Sequence, residues 1–134
     1  MVNPSTADAS KNDQTIRKLM GFGKRFRWRE ITVVNKFAYR ATDINNLRIA
    51  VDPIGPCNDA HILEAMFKSD IIIVAWGSLA KLPPELRDRW RSIVGVATTL
   101  NKALYCLGTC DDGHPKHPVM IGYSNIVRLW EPPK

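Results

Sequence analysis

Asp70-Ile71-Ile72-Ile73-Val74-Ala75-Trp76-Gly77-Ser78 is the stretch that decides the fold. Its centre is β-branched and continuously apolar, without the alternation of a half-exposed strand, so it reads as a strand covered on both faces and ended by Gly77. The run is far short of the roughly 20 apolar residues that span a bilayer. Immediately upstream, Asn58 or Asp59 can open a helix carrying Ile62, Leu63, Ala65, Met66 and Phe67. Downstream, Pro83 and Pro84 suit a first helical turn, and Glu85 to about Thr98 reads as helix with Leu86, Trp90, Ile93 and Val94 inward. Ala103 to Leu107 is the next strand. A helix between two apolar strands is a βαβ unit, whose strands run parallel.

Farther out, Asn12 or Asp13 can cap a helix with Ile16, Leu19, Met20, Gly23 and Phe26 on one stripe. Ile31-Thr32-Val33-Val34 reads as a second buried strand, and Asp43 offers a cap for a short helix through Leu47 and Ile49. Val51 to Pro56 is a turn. Ile126 to Trp130 suits a short edge strand, and Glu131 to Lys134 is expected to fray. The expected fold is α/β: one domain over residues 1–134, three layers (α/β/α), with a short, mostly parallel central sheet. Only Met1 and Val2 precede the first polar motif, so either further upstream sequence or another segment is expected to complete that strand.

With 45% hydrophobic and 24% charged residues, the composition is that of a soluble domain. The N-terminus lacks the basic-then-apolar layout of a secretory signal and three cysteines cannot all pair, so a cytoplasmic location is expected and no membrane partner. The net charge of +6 favours polyanionic partners, nucleic acid or a nucleotide. Lys11, Arg17, Lys18, Lys24, Arg25, Arg27 and Arg29 are opposed only by Asp13 within their stretch. Arg17, Lys18, Lys24 and Arg25 are therefore candidate phosphate contacts, the alternative being a solvated helix surface.

Four polar motifs each follow an apolar run, and ligands of open parallel sheets bind beyond the carboxyl ends of the strands. Asn3-Pro4-Ser5-Thr6-Ala7-Asp8 joins amide, hydroxyl and carboxylate groups on a proline-fixed turn. Asn3, Ser5 and Thr6 are candidate ligand contacts, and Asp8 a general base or water positioner. Asn35 ends a strand where an amide can read a base edge. Arg40 and Thr42 follow it, with Arg40 able to bind phosphate or to pair with Asp43. Trp76 and Gly77 offer a stacking ring and a close backbone approach, although a tryptophan at such a position is more often core than platform; Trp28, Trp90 and Trp130 read as packing. His114 and His117 sit between prolines that fix their directions, so that His114 can support a leaving group, a structural pair being the alternative. Cys106, Cys110, His114 and His117 have a zinc-like look, but Cys106 falls inside an expected strand. No metal and no cofactor are expected, and Cys57 and Cys106 read as packing residues.

In these motifs the chain resembles the family known as domain of unknown function 1643. The resemblance runs from Asn3-Pro4-Ser5-Thr6-Ala7-Asp8 through Thr15-Ile16-Arg17, Val34 to Asp43, Asp52-Pro53-Ile54-Gly55-Pro56 with Asn58-Asp59, and Ala75-Trp76-Gly77 to Leu107-Gly108 and Gly113 to Pro118. It implies an additional N-terminal stretch ahead of the first motif. The order of motifs is more distantly similar to the uracil-DNA glycosylase superfamily, especially its mismatch-specific branch. That similarity implies hydrolysis of a nucleobase N-glycosidic bond, with Asn3 in the water-activating loop and His114 near the departing base. The competing expectation is a non-catalytic nucleic-acid or nucleotide-binding module, or a phage accessory factor that works through a protein partner. The oligomeric state is left open, including a dimer in which a partner chain completes the first strand.

Overall fold

A βαβ unit forms where the apolar pattern places it. The computed structural model describes residues 1–2, 14–37, 47 and 52–134. Within them β1 (Ile72–Ile73) pairs parallel with β2 (Leu104–Cys106), and α3 (Arg89–Thr99) connects the two. β3 (Arg128–Leu129) lies antiparallel on the far side of β2. The sheet is thus mixed, which corrects the mostly parallel expectation for the described strands: the tail returns beside β2 through a loop, without the crossover a parallel neighbour requires. The expected edge strand in the tail is present. Pairing continues past the short strands, since Val74 N–H donates to the Tyr105 carbonyl and Trp130 N–H to the Leu104 carbonyl.

Successive strand residues point to opposite faces, and each face has its own cluster. Ile72, Leu104 and Cys106 meet the main core, where α2 (Asn58–Lys68) supplies Ile62 and Met66, and α3 supplies Trp90, Ile93 and Ala97. Ile73 meets a smaller cluster of Phe22, Phe26, Trp28, Leu107 and Ile121, in which α1 (Gln14–Phe26) packs. The stripe of α1 is rotated from the expected one: Phe22 is fully buried and Met20 is 56% exposed. Leu63 and Phe67 likewise face solvent on α2, because the i, i+4 pair Ile62 and Met66 takes the inner face. Among the other two segments expected to be helical, Pro84–Leu86 forms a short 3-10 turn ahead of α3, and the stretch after Asp43 lies outside the described residues except for buried Leu47.

Ile31 to Val34 departs most from expectation. Ile31 and Val33 are exposed, and the segment joins none of the three paired strands. It runs beside the first two residues instead: Met1 N donates to the Val34 carbonyl, while Lys36 and Phe37 N–H donate to the Met1 and Val2 carbonyls. Val2 and Phe37 then enter the main core. The four-residue apolar run forms no strand, and burial sets in after it, at Lys36 and Phe37. The tail does not hang free either, since Pro133 lies against Gly113. No helix among the described residues is long and apolar enough to cross a membrane.

Candidate functional site

Three of the four polar motifs meet on one rim. Trp76 Nε1–H donates to His114 Nδ1 at 3.3 Å, Gly77 N–H donates to the Pro115 carbonyl at 2.7 Å, and Lys36 Nζ stands 4.9 Å from the centre of the Trp76 ring. Asn3, Ser5, Thr6, Asp8, Arg40 and Thr42 lie outside the described residues.

The strand-end segment is anchored by the first turns of two helices. Asn58 at the start of α2 donates its amide to the Asn35 and Lys36 carbonyls, at 2.8 and 3.1 Å. Arg89 at the start of α3 donates through Nε to the same Lys36 carbonyl at 2.9 Å and through Nη2 to Asp59. These bonds fix Asn35 and Lys36, yet among the described residues both side chains keep a buried atom without a hydrogen-bond partner, Asn35 Oδ1 and Lys36 Nζ. Such atoms are rare in folded proteins, and each marks strain, a functional role or an absent partner. Lys36 is 2% exposed, and burial, reinforced by Arg89, lowers its pKa to about 7.

Lys36 and Arg89 are the site residues that the motifs miss. Arg89 has a readable signal in retrospect: it lies four residues before buried Ile93 and so shares the inner face of α3. Lys36 has only its position between Asn35 and buried Phe37. Arg89→Ala is expected to cost about 2–3 kcal/mol in urea denaturation, from the lost bond to Lys36 and the cavity beside it. Asp59 is 67% exposed and rehydrates readily, so the severed ion pair adds little.

His114 is enclosed by three indoles. Trp90 stands at 5.0 Å, edge-on, with Trp130 at 6.2 Å and Trp76 at 6.3 Å. Because Nδ1 accepts from Trp76, the hydrogen-bond network assigns the neutral ring's proton to Nε2. Burial lowers the imidazole pKa, and Lys36 and Arg91 act in the same direction against the pull of Asp112. His114 is therefore a neutral donor at physiological pH. Its loop is pinned by Asp112, which accepts from Ser78 Oγ, Leu79 N–H and His114 N–H. Burial works to raise the Asp112 pKa, but these hydrogen bonds outweigh it and hold the carboxyl below its ordinary value.

Gly77 has φ +85°, a conformation that disfavours a side chain, and a Cβ there would meet His117. His117 accepts through Nδ1 from Val119 N–H at 3.4 Å, capping the turn Pro118–Met120. The two imidazoles thus differ, one enclosed beside Trp76 and one shaping a turn. Cys106 is buried in β2 as expected; Cys57 is exposed and is not a packing residue, because it precedes α2 at a surface turn.

The basic face of α1 divides in the same way. Arg17, Lys24 and Arg25 are exposed, but Arg25 also donates to the Asn125 carbonyl at 2.6 Å and stacks on Phe26, and Lys18 sits 4.3 Å over the Tyr123 ring. Trp28 stacks on Phe26, as a packing residue should.

No curated protein and no solved structure matches the chain, and the uracil-DNA glycosylase resemblance gains no support from them. Residues 1–119 match the family model described as "Protein of unknown function (DUF1643)", and the chain belongs to that family.

Proposed function

We propose that this rim hydrolyses the N-glycosidic bond of a nucleotide or of a base in nucleic acid. The observation that carries the reading is the neutral His114 held beside Trp76, drawn from distant parts of the chain. In the reaction, a water oxygen bonds to the anomeric carbon as the C–N bond breaks, and the electron pair leaves with the base. Asp8 takes the water's proton, Asn3 positions the water, and His114 Nε2–H stabilises the charge on the departing base. A base in a duplex must first be flipped out.

Asn35, with Ser5, Thr6, Arg40, Thr42 and His117, completes the ligand contacts in this reading. The architecture that goes with it is the three-layer α/β/α arrangement of uracil-DNA glycosylases, supported by the separate clusters on the two faces of β1. The cytoplasm is the compartment where such substrates are met.

The test is release of free base, followed by chromatography, from a panel of ribo- and deoxyribonucleotides and single-stranded DNA. Asp8→Ala is expected to slow release by at least about 100-fold while leaving affinity unchanged. Absence of base release from every substrate overturns the hydrolase reading.

A second reading, non-catalytic nucleic-acid binding, rests on the exposed Arg17 and Lys24 of α1. It requires affinity that falls steeply with salt as counterions are released, and salt-independent binding rejects it.

A further inference from the structure

Lys36 has no task in base release, yet it is the group whose burial is hardest to explain. A lysine normally carries its head to solvent or pairs it with a carboxylate. Among the described residues the Lys36 amine does neither: it is 2% exposed and has no hydrogen-bond partner. Among the described residues, the carboxylates close to this rim are engaged, Asp59 by Arg89 and Asp112 by Ser78, Leu79 and His114.

Among the described residues, the titratable and charged groups that act on Lys36 are cationic or neutral. Arg89 approaches from α3, the buried Met1 amino group from the paired N-terminal segment, and neutral His114 from the loop behind Trp76. The aromatic faces of Trp76 at 4.9 Å and Phe37 at 5.9 Å give the ammonium partial compensation. A buried amine held by residues in helix first turns, lined by aromatic rings and without an anion among the described residues, is complementary to a compact oxyanion that can restore its charge.

We propose that Lys36 Nζ is the receptor for a phosphate monoester, so that the ligand of this rim is a nucleoside monophosphate rather than a nucleoside. The inference rests on the nucleobase reading for the base alone. The anion site itself stands on Lys36. Because burial leaves Lys36 largely neutral at pH 8, an arriving phosphate dianion restores its charge, and binding takes up a proton.

Calorimetric titration at pH 8, in two buffers of different ionisation enthalpy, tests this with a nucleoside monophosphate, the matching nucleoside, ribose 5-phosphate and inorganic phosphate. The expected result is that the monophosphate binds about 10- to 100-fold tighter than the nucleoside and takes up close to one proton. Lys36→Met is expected to remove that advantage and the proton uptake; Lys36→Arg, which keeps the charge, is expected to retain much of the advantage.

Equal affinity for nucleoside and nucleotide, or an advantage that survives in Lys36→Met, overturns the phosphate site and leaves the nucleobase reading standing. Lys36-dependent binding of inorganic phosphate and ribose 5-phosphate, with no gain from the base, supports the anion site and overturns the nucleobase reading. Failure of all four probes to bind the wild type overturns both.

Discussion

Trp130→Ala is expected to destabilise the protein by about 3–5 kcal/mol, read as a fall in the urea midpoint. Trp130 lies just past β3 at the edge of the sheet, but it is 4% exposed and closes the main core. Its ring meets Trp76 edge-on at 5.3 Å and approaches Trp90 at 6.3 Å and His114 at 6.2 Å. Its indole N–H donates to the Gly113 carbonyl at 2.9 Å, and its backbone N–H extends the pairing with β2. Truncation opens a cavity beside His114 and leaves the Gly113 carbonyl without that donor. Trp130→Phe retains most of the fill and loses the one hydrogen bond, so about 1–2 kcal/mol is expected. A Trp130→Ala protein within 1 kcal/mol of wild type would falsify the role assigned to this ring. The residue lies beyond the 1–119 segment matched by the family, so the core is closed by chain outside that segment.

Lys36→Met is expected to have the opposite sign and to stabilise the protein at neutral pH. Methionine matches the apolar length of lysine and removes a buried amine that has no hydrogen-bond acceptor among the described residues. The folded-state pKa of about 7 lies below the ordinary 10.5, so between those values the unfolded chain binds more protons than the folded one. Wild-type stability should therefore gain from this group as pH rises from 7 to 10.5, with no slope from it below 7. The gap of roughly 3.5 units bounds the gain at about 5 kcal/mol, and lost contact with Trp76 reduces what the variant recovers to about 1–3 kcal/mol. Urea denaturation of both proteins at pH 7 and pH 10 checks this: the advantage of Lys36→Met should shrink toward zero at the higher pH. Parallel profiles would show that Lys36 is solvated in the native protein. His114 is common to both proteins and drops out of the difference. Its own lowered pKa withdraws stability only as pH falls below the ordinary imidazole range.

A residue that weakens the fold while tightening ligand binding fits a functional site, where local rules are broken for a ligand's benefit. The stabilising effect of Lys36→Met and its loss of phosphate affinity would together separate a binding lysine from a merely structural one.

Much of this fold is legible in the local pattern. The Asn58 start of α2, the β1–α3–β2 unit and the tail strand beside β2 follow from continuous apolar runs, helical spacing and glycine or proline punctuation, all short-range properties of the chain. The polar motifs at strand ends also identified Trp76, Gly77 and His114 as neighbours, because the C-terminal ends of parallel strands gather on one side of a sheet. Ile31 to Val34 misled for the converse reason: β-branching favours extended chain but does not choose a partner, and Met1–Val2 supplied one outside the sheet.

What the sequence by itself determined is therefore the order and type of the main elements and the rim on which polar groups collect. Tertiary structure alone decided that Lys36 is buried without an acceptor among the described residues, that Arg89 clamps its carbonyl, and that three tryptophans enclose His114. The physical reason is that burial and electrostatic environment depend on groups brought together from distant positions, 53 residues apart for Arg89 and Lys36 and 38 for Trp76 and His114. No local window contains both members of such a pair.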